Sequence, residues 1–206
     1  MIDAIYVDLD GVLGDFVSAA FLAHKKDPIV MYKAWTPGDY EALPKLCEVD
    51  EKGFWDGIND YRPEWMRNGG SSSGGTPGAW IWENEVKAYP WADLLWNMCE
   101  ERAETWVMTS PARSAGSAYG KVKWLQAWKG EAFRKYVIAP NKAHLSRKGA
   151  LLIDDDPKNV AKWAERGGET IQFPRLWNPR FERADRPMET VIPELLKYEF
   201  AGKAKD

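Results

Sequence analysis

The stretch Tyr6–Phe16, YVDLDGVLGDF, places Asp8 and Asp10 one residue apart at the end of an apolar run and follows them with Gly11. The run before them, Ala4 to Val7, is short, apolar and β-rich, and it predicts a buried strand ending at Asp8. On an extended chain residues two apart project to the same side, so both carboxylates crowd one strand tip. A bare pair would repel, and one carboxyl would take a proton. A divalent cation removes that conflict by neutralising both. A turn with solvated acids is the plain alternative, but it leaves the apolar lead-in unexplained. A calcium-binding helix-loop-helix does not fit, because Gly11 falls at the fourth loop position rather than the sixth and no Glu closes the loop.

Working outward, a second acidic strand end lies at LLIDDDPKN, Leu151 to Asn159. Ala150 to Ile153 predicts a strand, and Pro157 to Arg166 a helix with Pro in its first turn and Gly167-Gly168 after it. Capping that helix needs one acid, and Asp156 suits it. Asp154 and Asp155 remain to be explained. Glu104 to Met108 predicts a strand stopped by Thr109-Ser110-Pro111. Lys135 to Ala139 and Thr170 to Phe173 complete the strands. Helices are expected at Phe16 to Lys26, Trp91 to Arg102, Ser117 to Trp128 and Met188 to Glu199. Pro28 to Tyr89 reads as irregular, rich in Trp, Pro and Gly, and it holds GGSSSGGTPG at 69–78, a flexible loop by composition.

From about residue 91 this order, joined to the first strand, predicts an open, mostly parallel α/β sheet. Ligands bind such sheets beyond the carboxyl ends of the strands. Asp8/Asp10, Thr109/Ser110 and Asp154/Asp155 would therefore meet at one edge, as an oxygen-rich set suited to Mg²⁺.

Composition sets bounds on the rest. A chain of 206 residues fits one domain, or a core with a modest insertion. An apolar share of 45% and a charged share of 29% are globular values. The net charge of -3, with signs interspersed, gives no basic stripe and no strong nucleic-acid signal. Twelve Trp is a high count, and it makes a ligand that stacks on aromatic faces thinkable. Cys47 and Cys99 match no metal spacing and suit two packed thiols in a reducing cytosol. Asp3, Asp8 and Asp10 are foreign to a signal peptide, and no apolar run approaches membrane-spanning length, so a cytoplasmic protein with no membrane partner is expected. Ala201 to Asp206 is a Lys-bearing tail expected to fray. Gly116–Val122 is one residue short of a phosphate-binding loop and lacks its Ser/Thr. No nucleophile elbow occurs, and His24 and His144 form no metal pair.

The ordered set of DxDG, a strand-end Thr/Ser, a Lys and a strand-end DD resembles the haloacid dehalogenase (HAD) superfamily of phosphohydrolases. The resemblance covers residues 1–16 and about 104–173. DLDGVLGDF, GFW (Gly53–Trp55), IWEN (Ile81–Asn84), TSP, GKVKW (Gly120–Trp124), Asn141-Lys142 and LLIDD also follow the order of the 5′(3′)-deoxyribonucleotidases. It implies a Rossmann-like core, residues 1–16 and 90–206, with a small, mainly helical cap inserted after the first strand, residues 17–89. It implies a phosphoryl transfer in which Asp8 forms an aspartyl phosphate and Asp10 moves the proton. Thr109, Ser110, Lys121 and Lys142 would contact the phosphate. Mg²⁺ would be bound by Asp8, the Asp10 backbone carbonyl and Asp155, with Asp154 and Asn159 behind them. Phe16, Phe54, Trp55 and Trp82 would line the base and sugar pocket, though each of them also fits simple cap packing.

The expected substrate is a (deoxy)nucleoside 5′-monophosphate. Another small phosphomonoester or a polynucleotide end keeps the same mechanism. A non-catalytic nucleotide-binding protein on the same fold is the reading from a different class, and a homodimer is compatible with all three. The loop at 69–78 lengthens the Trp55–Trp82 segment beyond the family pattern, and the cap otherwise has no clear match.

Overall fold

The computed structural model describes residues 1–67 and 76–202. Residues 69–75 of the expected loop and 203–206 of the expected tail lie outside the described residues. Five strands form one sheet: β1 (Ala4–Val7), β2 (Glu104–Thr109), β3 (Tyr136–Ile138), β4 (Ala150–Asp154) and β5 (Glu169–Gln172). Their order is β3-β2-β1-β4-β5, and every pairing is parallel. The chain moves outward from β1 through β2 to β3, then returns to the other side of β1 for β4 and β5. The order therefore reverses between β1 and β4, where open α/β sheets bind their ligands.

Ten helices are described: α1 (Phe16–Ala23), α2 (Pro28–Ala34), α3 (Ala42–Leu46), α4 (Glu51–Asp60), α5 (Glu64–Arg67), α6 (Trp80–Asn84), α7 (Ala92–Glu100), α8 (Ala115–Lys129), α9 (Pro157–Glu165) and α10 (Pro187–Leu195). Six of them fall between β1 and α7. None of the described helices is long and apolar enough to cross a membrane.

The central strands are apolar on both faces because both faces are covered. Ile5, Val7, Leu151 and Ile153 face one large core, which Phe21, Trp35 and Ile58 enter from the inserted helices. Met108, Ala150, Leu152 and Trp163 pack on the other side. Each fully buried Ile or Leu there contributes roughly 1.5–3 kcal/mol. The inserted helices reach the sheet layer through close packing at Gly120 of α8. A Cβ there would lie 2.5 Å from the Ala79 carbonyl oxygen just before α6, so only glycine lets the two segments approach.

The structure departs from the sequence expectations in three places. Residues 28–89 are not irregular but carry five short helices. Asp27 caps α2 by accepting from the Ile29 amide at 2.8 Å, and Asp50 caps α4 by accepting from the Gly53 amide at 2.7 Å. The first helix ends at Ala23 rather than Lys26, because Lys25 turns to φ 58° and the Lys26 amide closes on the Phe21 carbonyl at 2.9 Å. The last helix ends at Leu195 rather than Glu199, because residues 199–201 pair with Ile2. The Ile2 amide donates to the Glu199 carbonyl at 2.6 Å, and the Ala201 amide to the Ile2 carbonyl at 2.8 Å.

Candidate active site

Three strand ends deliver polar groups to one edge. Val7 is level with Val107 and Ile153, so the residues after them, Asp8, Met108 and Asp154, start the edge together. A cavity of about 310 Å³ opens there. Asp8, Asp10, Thr109, Ser110, Lys142, Asp155 and Asn159 line it from the sheet side. Phe16, Trp35, Tyr40, Phe54 and Trp55 line it from the inserted helices and loops.

Lys142 sits in a short 3₁₀ turn, Lys142–Leu145, started by the Asn141 side chain. It is 2% exposed, with Nζ 2.5 Å from Asp8 Oδ1 and 2.7 Å from Asp154 Oδ2. Burial opposes its charge, but Asp154 and Asp8 outweigh burial and keep it protonated above the usual lysine range. Asp8 is pushed up, first by burial and then by the charges of Asp154, Asp155 and Asp10, while Lys142 pulls it back.

Asp10 is held from two sides. Lys121 Nζ of α8 lies 2.5 Å from its Oδ2, and the Trp82 indole N–H of α6 donates to its Oδ1 at 3.1 Å. Lys121 also donates to Thr109 Oγ1 at 2.9 Å and to the Ser110 carbonyl at 2.5 Å. An ammonium has three donors, and all three are engaged. Lys121 thus stands behind the cavity wall as a holder of Asp10, in place of the free phosphate contact expected of it. Trp82 stands behind the wall too, stacked on Phe16 at 5.5 Å.

Asp155 is fixed differently. The Trp177 indole N–H donates to Oδ2 at 2.6 Å, and Asn178 Nδ2 donates to its backbone carbonyl at 2.8 Å. Gly11, at φ 86°, passes directly beneath, and a Cβ there would collide with the Asp155 carboxyl. Burial first, and the Asp154 charge second, push the Asp155 carboxyl up.

The donor set fits a hard divalent cation. Asp8, Asp154 and Asp155 each offer an oxygen within 4.8 Å of the others, and all three are buried. Two of the three carboxylates, Asp8 and Asp154, share the Lys142 ammonium, and every donor is oxygen, which suits Mg²⁺. Asp154 has little left to offer. Its Oδ2 accepts from Lys142, its Oδ1 from the Asp156 amide at 2.8 Å, and Asn159 Nδ2 lies 3.2 Å from Oδ2. Asp8 and Asp155 each keep one oxygen free of hydrogen bonds among the described residues.

The aromatic wall is wider than the sequence indicated. Phe16, Phe54 and Trp55 line the cavity, and so do Trp35, Tyr40, Leu43, Pro44 and Trp177. Trp35 and Trp177 pack together at 5.6 Å, which joins the inserted segment to the loop after β5. No motif flanks these residues. The high Trp count was the one sequence signal that pointed toward them.

No protein-family model matches the chain, and no curated protein matches it in sequence. Solved structures do match in fold. A predicted phosphatase from Clostridium acetobutylicum aligns over 96% of this chain and 100% of its own, with TM-score 0.58 and 12% identity. A haloacid dehalogenase-like family hydrolase from Streptococcus pneumoniae aligns over 94% of this chain and 98% of its own, with TM-score 0.57 and 14% identity. The L-2-haloacid dehalogenase from Xanthobacter autotrophicus aligns over 89% and 82%, with TM-score 0.50 and 14% identity. At this identity the likeness shows the fold, a HAD-like Rossmann core, and not the reaction.

Proposed function

We propose that this chain is a Mg²⁺-dependent phosphomonoesterase of the HAD type that takes (deoxy)nucleoside 5′-monophosphates. One observation carries the reading: Asp8 and Asp10 open, with Thr109 and Ser110, onto one cavity whose opposite wall is aromatic. Binding alone needs no nucleophile, so the presence of both Asp8 and Asp10 speaks for catalysis. Two of the similar folds bear the names phosphatase and hydrolase, which supports the same class.

In this reading an Asp8 oxygen attacks phosphorus, the ester P–O bond breaks, and Asp10 supplies the proton to the departing alcohol. Asp10 then takes a proton from the water that cleaves the aspartyl phosphate, releasing inorganic phosphate and restoring Asp8. Such proton transfer is typically worth about 10²–10⁴-fold. Lys121 and Trp82 hold Asp10 in place through both steps. Thr109 accepts from Lys121, so its own hydroxyl hydrogen is free for a phosphoryl oxygen, beside Ser110 and Lys142. Asp8, the Asp10 backbone carbonyl and Asp155 would hold Mg²⁺, supported by Asp154 and Asn159, and the cation would neutralise the carboxylates and the phosphoryl charge. Residues 17–89 act as the cap, and the nucleoside stacks on Phe16, Phe54 and Trp55. Two buried free thiols, Cys47 and Cys99, agree with a reducing cytoplasm.

The test is phosphate release with Mg²⁺ from nucleoside monophosphates, sugar phosphates and 5′-phosphorylated oligonucleotides. The nucleotides should give the highest kcat/KM, and Asp8→Asn should abolish turnover. Full activity in that variant would overturn the covalent route, and binding without release would make the chain a nucleotide-binding protein.

A further inference from the structure

We propose that Trp177 is a positioning residue for the divalent cation: its indole N–H sets the Asp155 carboxylate while its ring closes the cavity wall. The inference rests on the Mg²⁺ reading above.

The four acids are held in different ways. Asp8 and Asp154 share the Lys142 ammonium, and Asp10 has Lys121. Among the described residues, Asp155 has no cation within ion-pair distance. Its partner is a neutral N–H, from Trp177 at 2.6 Å. An ammonium would orient a carboxylate and cancel its charge. An indole N–H orients it and leaves the charge for a cation.

That donor is itself locked. Trp177 is 4% exposed. One side of its ring meets Trp35 at 5.6 Å. The Arg175 guanidinium lies 4.6 Å from the ring centroid. Arg175 is buried as well, packed 4.2 Å from the Tyr89 ring, and its Nε has no hydrogen-bond partner. An arginine held by aromatic faces rather than by a carboxylate acts here as a wedge that stops the Trp177 ring from turning. Its charge favours the Asp155 carboxylate from a distance, with no ion pair between the two. From the next residue, Asn178 ties the Asp155 carbonyl to the Phe173 carbonyl, with both hydrogen bonds 2.8 Å long. Gly11 closes the space below. The carboxylate is left one position, with Oδ2 bound to the indole and Oδ1 available.

Because the same ring lines the cavity and touches Trp35, cation and substrate wall are mechanically joined. Loss of the N–H should therefore weaken the metal before it harms the chemistry. Groups that orient a metal ligand in this way typically control affinity by about 10–100-fold.

The experiment is calorimetric Mg²⁺ titration of the full chain, without substrate, with Asp155→Asn as reference. Trp177→Phe keeps a ring and removes the N–H. Replacing Trp177 by 3-benzothienylalanine keeps the indole shape and removes only the N–H, so it decides the case if the Phe variant fails to fold. Both should bind Mg²⁺ about 10–100-fold more weakly than wild type. Phosphate release should need correspondingly more Mg²⁺, with kcat at saturating Mg²⁺ largely kept. A benzothienyl variant that binds Mg²⁺ within twofold of wild type overturns the role of Trp177 alone. Wild type that binds no Mg²⁺, or binds it as Asp155→Asn does, overturns the metal reading and this inference with it.

Discussion

Lys121 Nζ lies 2.5 Å from Asp10 Oδ2, although the two residues are 111 positions apart. The same ammonium reaches Thr109 Oγ1, so a single buried cation holds both Asp10, the proposed proton carrier, and Thr109, the proposed phosphate contact. Lys121→Met keeps the length and removes the charge. It strands the Asp10 oxygen, the Thr109 hydroxyl and the Ser110 carbonyl together. Leaving such groups unpaired costs about 1–3 kcal/mol, to be read from urea denaturation. kcat for phosphate release should fall by at least about tenfold, within the range that proton transfer supplies. Arg should not rescue it, because a planar fork cannot meet three oxygens around one point. A Met variant with wild-type kcat would show that Asp10 needs no holder.

Asp154 and Asp155 are neighbours with opposite expected phenotypes. Asp154→Asn breaks a fully buried contact with Lys142, and loss of one partner from a buried pair costs about 3–5 kcal/mol. Asp155→Asn removes a buried charge that has no ion-pair partner among the described residues, so metal-free stability should hold or rise. Its damage should fall on Mg²⁺, with half-saturation raised at least about tenfold. Metal-free urea melts and Mg²⁺ titrations of activity separate the two. Superimposable Mg²⁺ curves for the two variants would sink the assignment of Asp155 as the ligand.

The strand ends were legible in sequence for a physical reason. A parallel strand buried on both faces must be apolar throughout, so Ala4–Val7 and Ala150–Ile153 announce themselves, and the acids that break them mark the edge. The inserted helices were hidden because their signal is mixed. Gly53 and Gly57 lower the propensity of α4, and α2 starts with Pro and buries none of its residues. Lys121 could be picked out as a lysine but not as spent, since its three partners come from two distant strand ends. Trp177 was illegible altogether. It lies in a loop 22 residues after Asp155, and only the return of that loop over the edge brings them together.

His24 should give the fold a pH dependence of known sign. Its ring stacks on Phe54 at 5.2 Å, and Nε2 lies 3.1 Å from the Phe54 carbonyl, an acceptor, so Nε2 carries the hydrogen. Partial burial holds its pKa below the ordinary 6.5. The unfolded chain therefore takes up a proton on acidification before the folded chain does. Stability is fully present above the unfolded pKa and is lost as pH falls below about 6.5. The other histidine, His144, is exposed. Urea denaturation of wild type and His24→Gln at pH 7.5, 6.5 and 5.5 isolates the effect, because all other groups cancel in the difference. The advantage of wild type should shrink toward pH 5.5. A constant difference across the three pH values would contradict it.

The aromatic wall can be tested as a ligand surface rather than as packing. Phe16 lies between Trp82 and Trp55, at 5.5 and 6.2 Å, and Trp55 lines the cavity half-buried. A base stacked there should contribute roughly 1–3 kcal/mol per aromatic face, so Trp55→Ala should raise KM for a nucleoside monophosphate by about 5- to 150-fold. Glycerol phosphate has no ring to stack, and its KM should move little. Trp82→Phe makes the complementary cut, since it keeps the ring behind Phe16 and deletes the N–H to Asp10. It should lower kcat for both substrates and leave both KM values near wild type. The comparison decides between the two roles of these rings. If Trp55→Ala lowers the melting temperature and raises both KM values equally, the ring packs the cap and does not read the base.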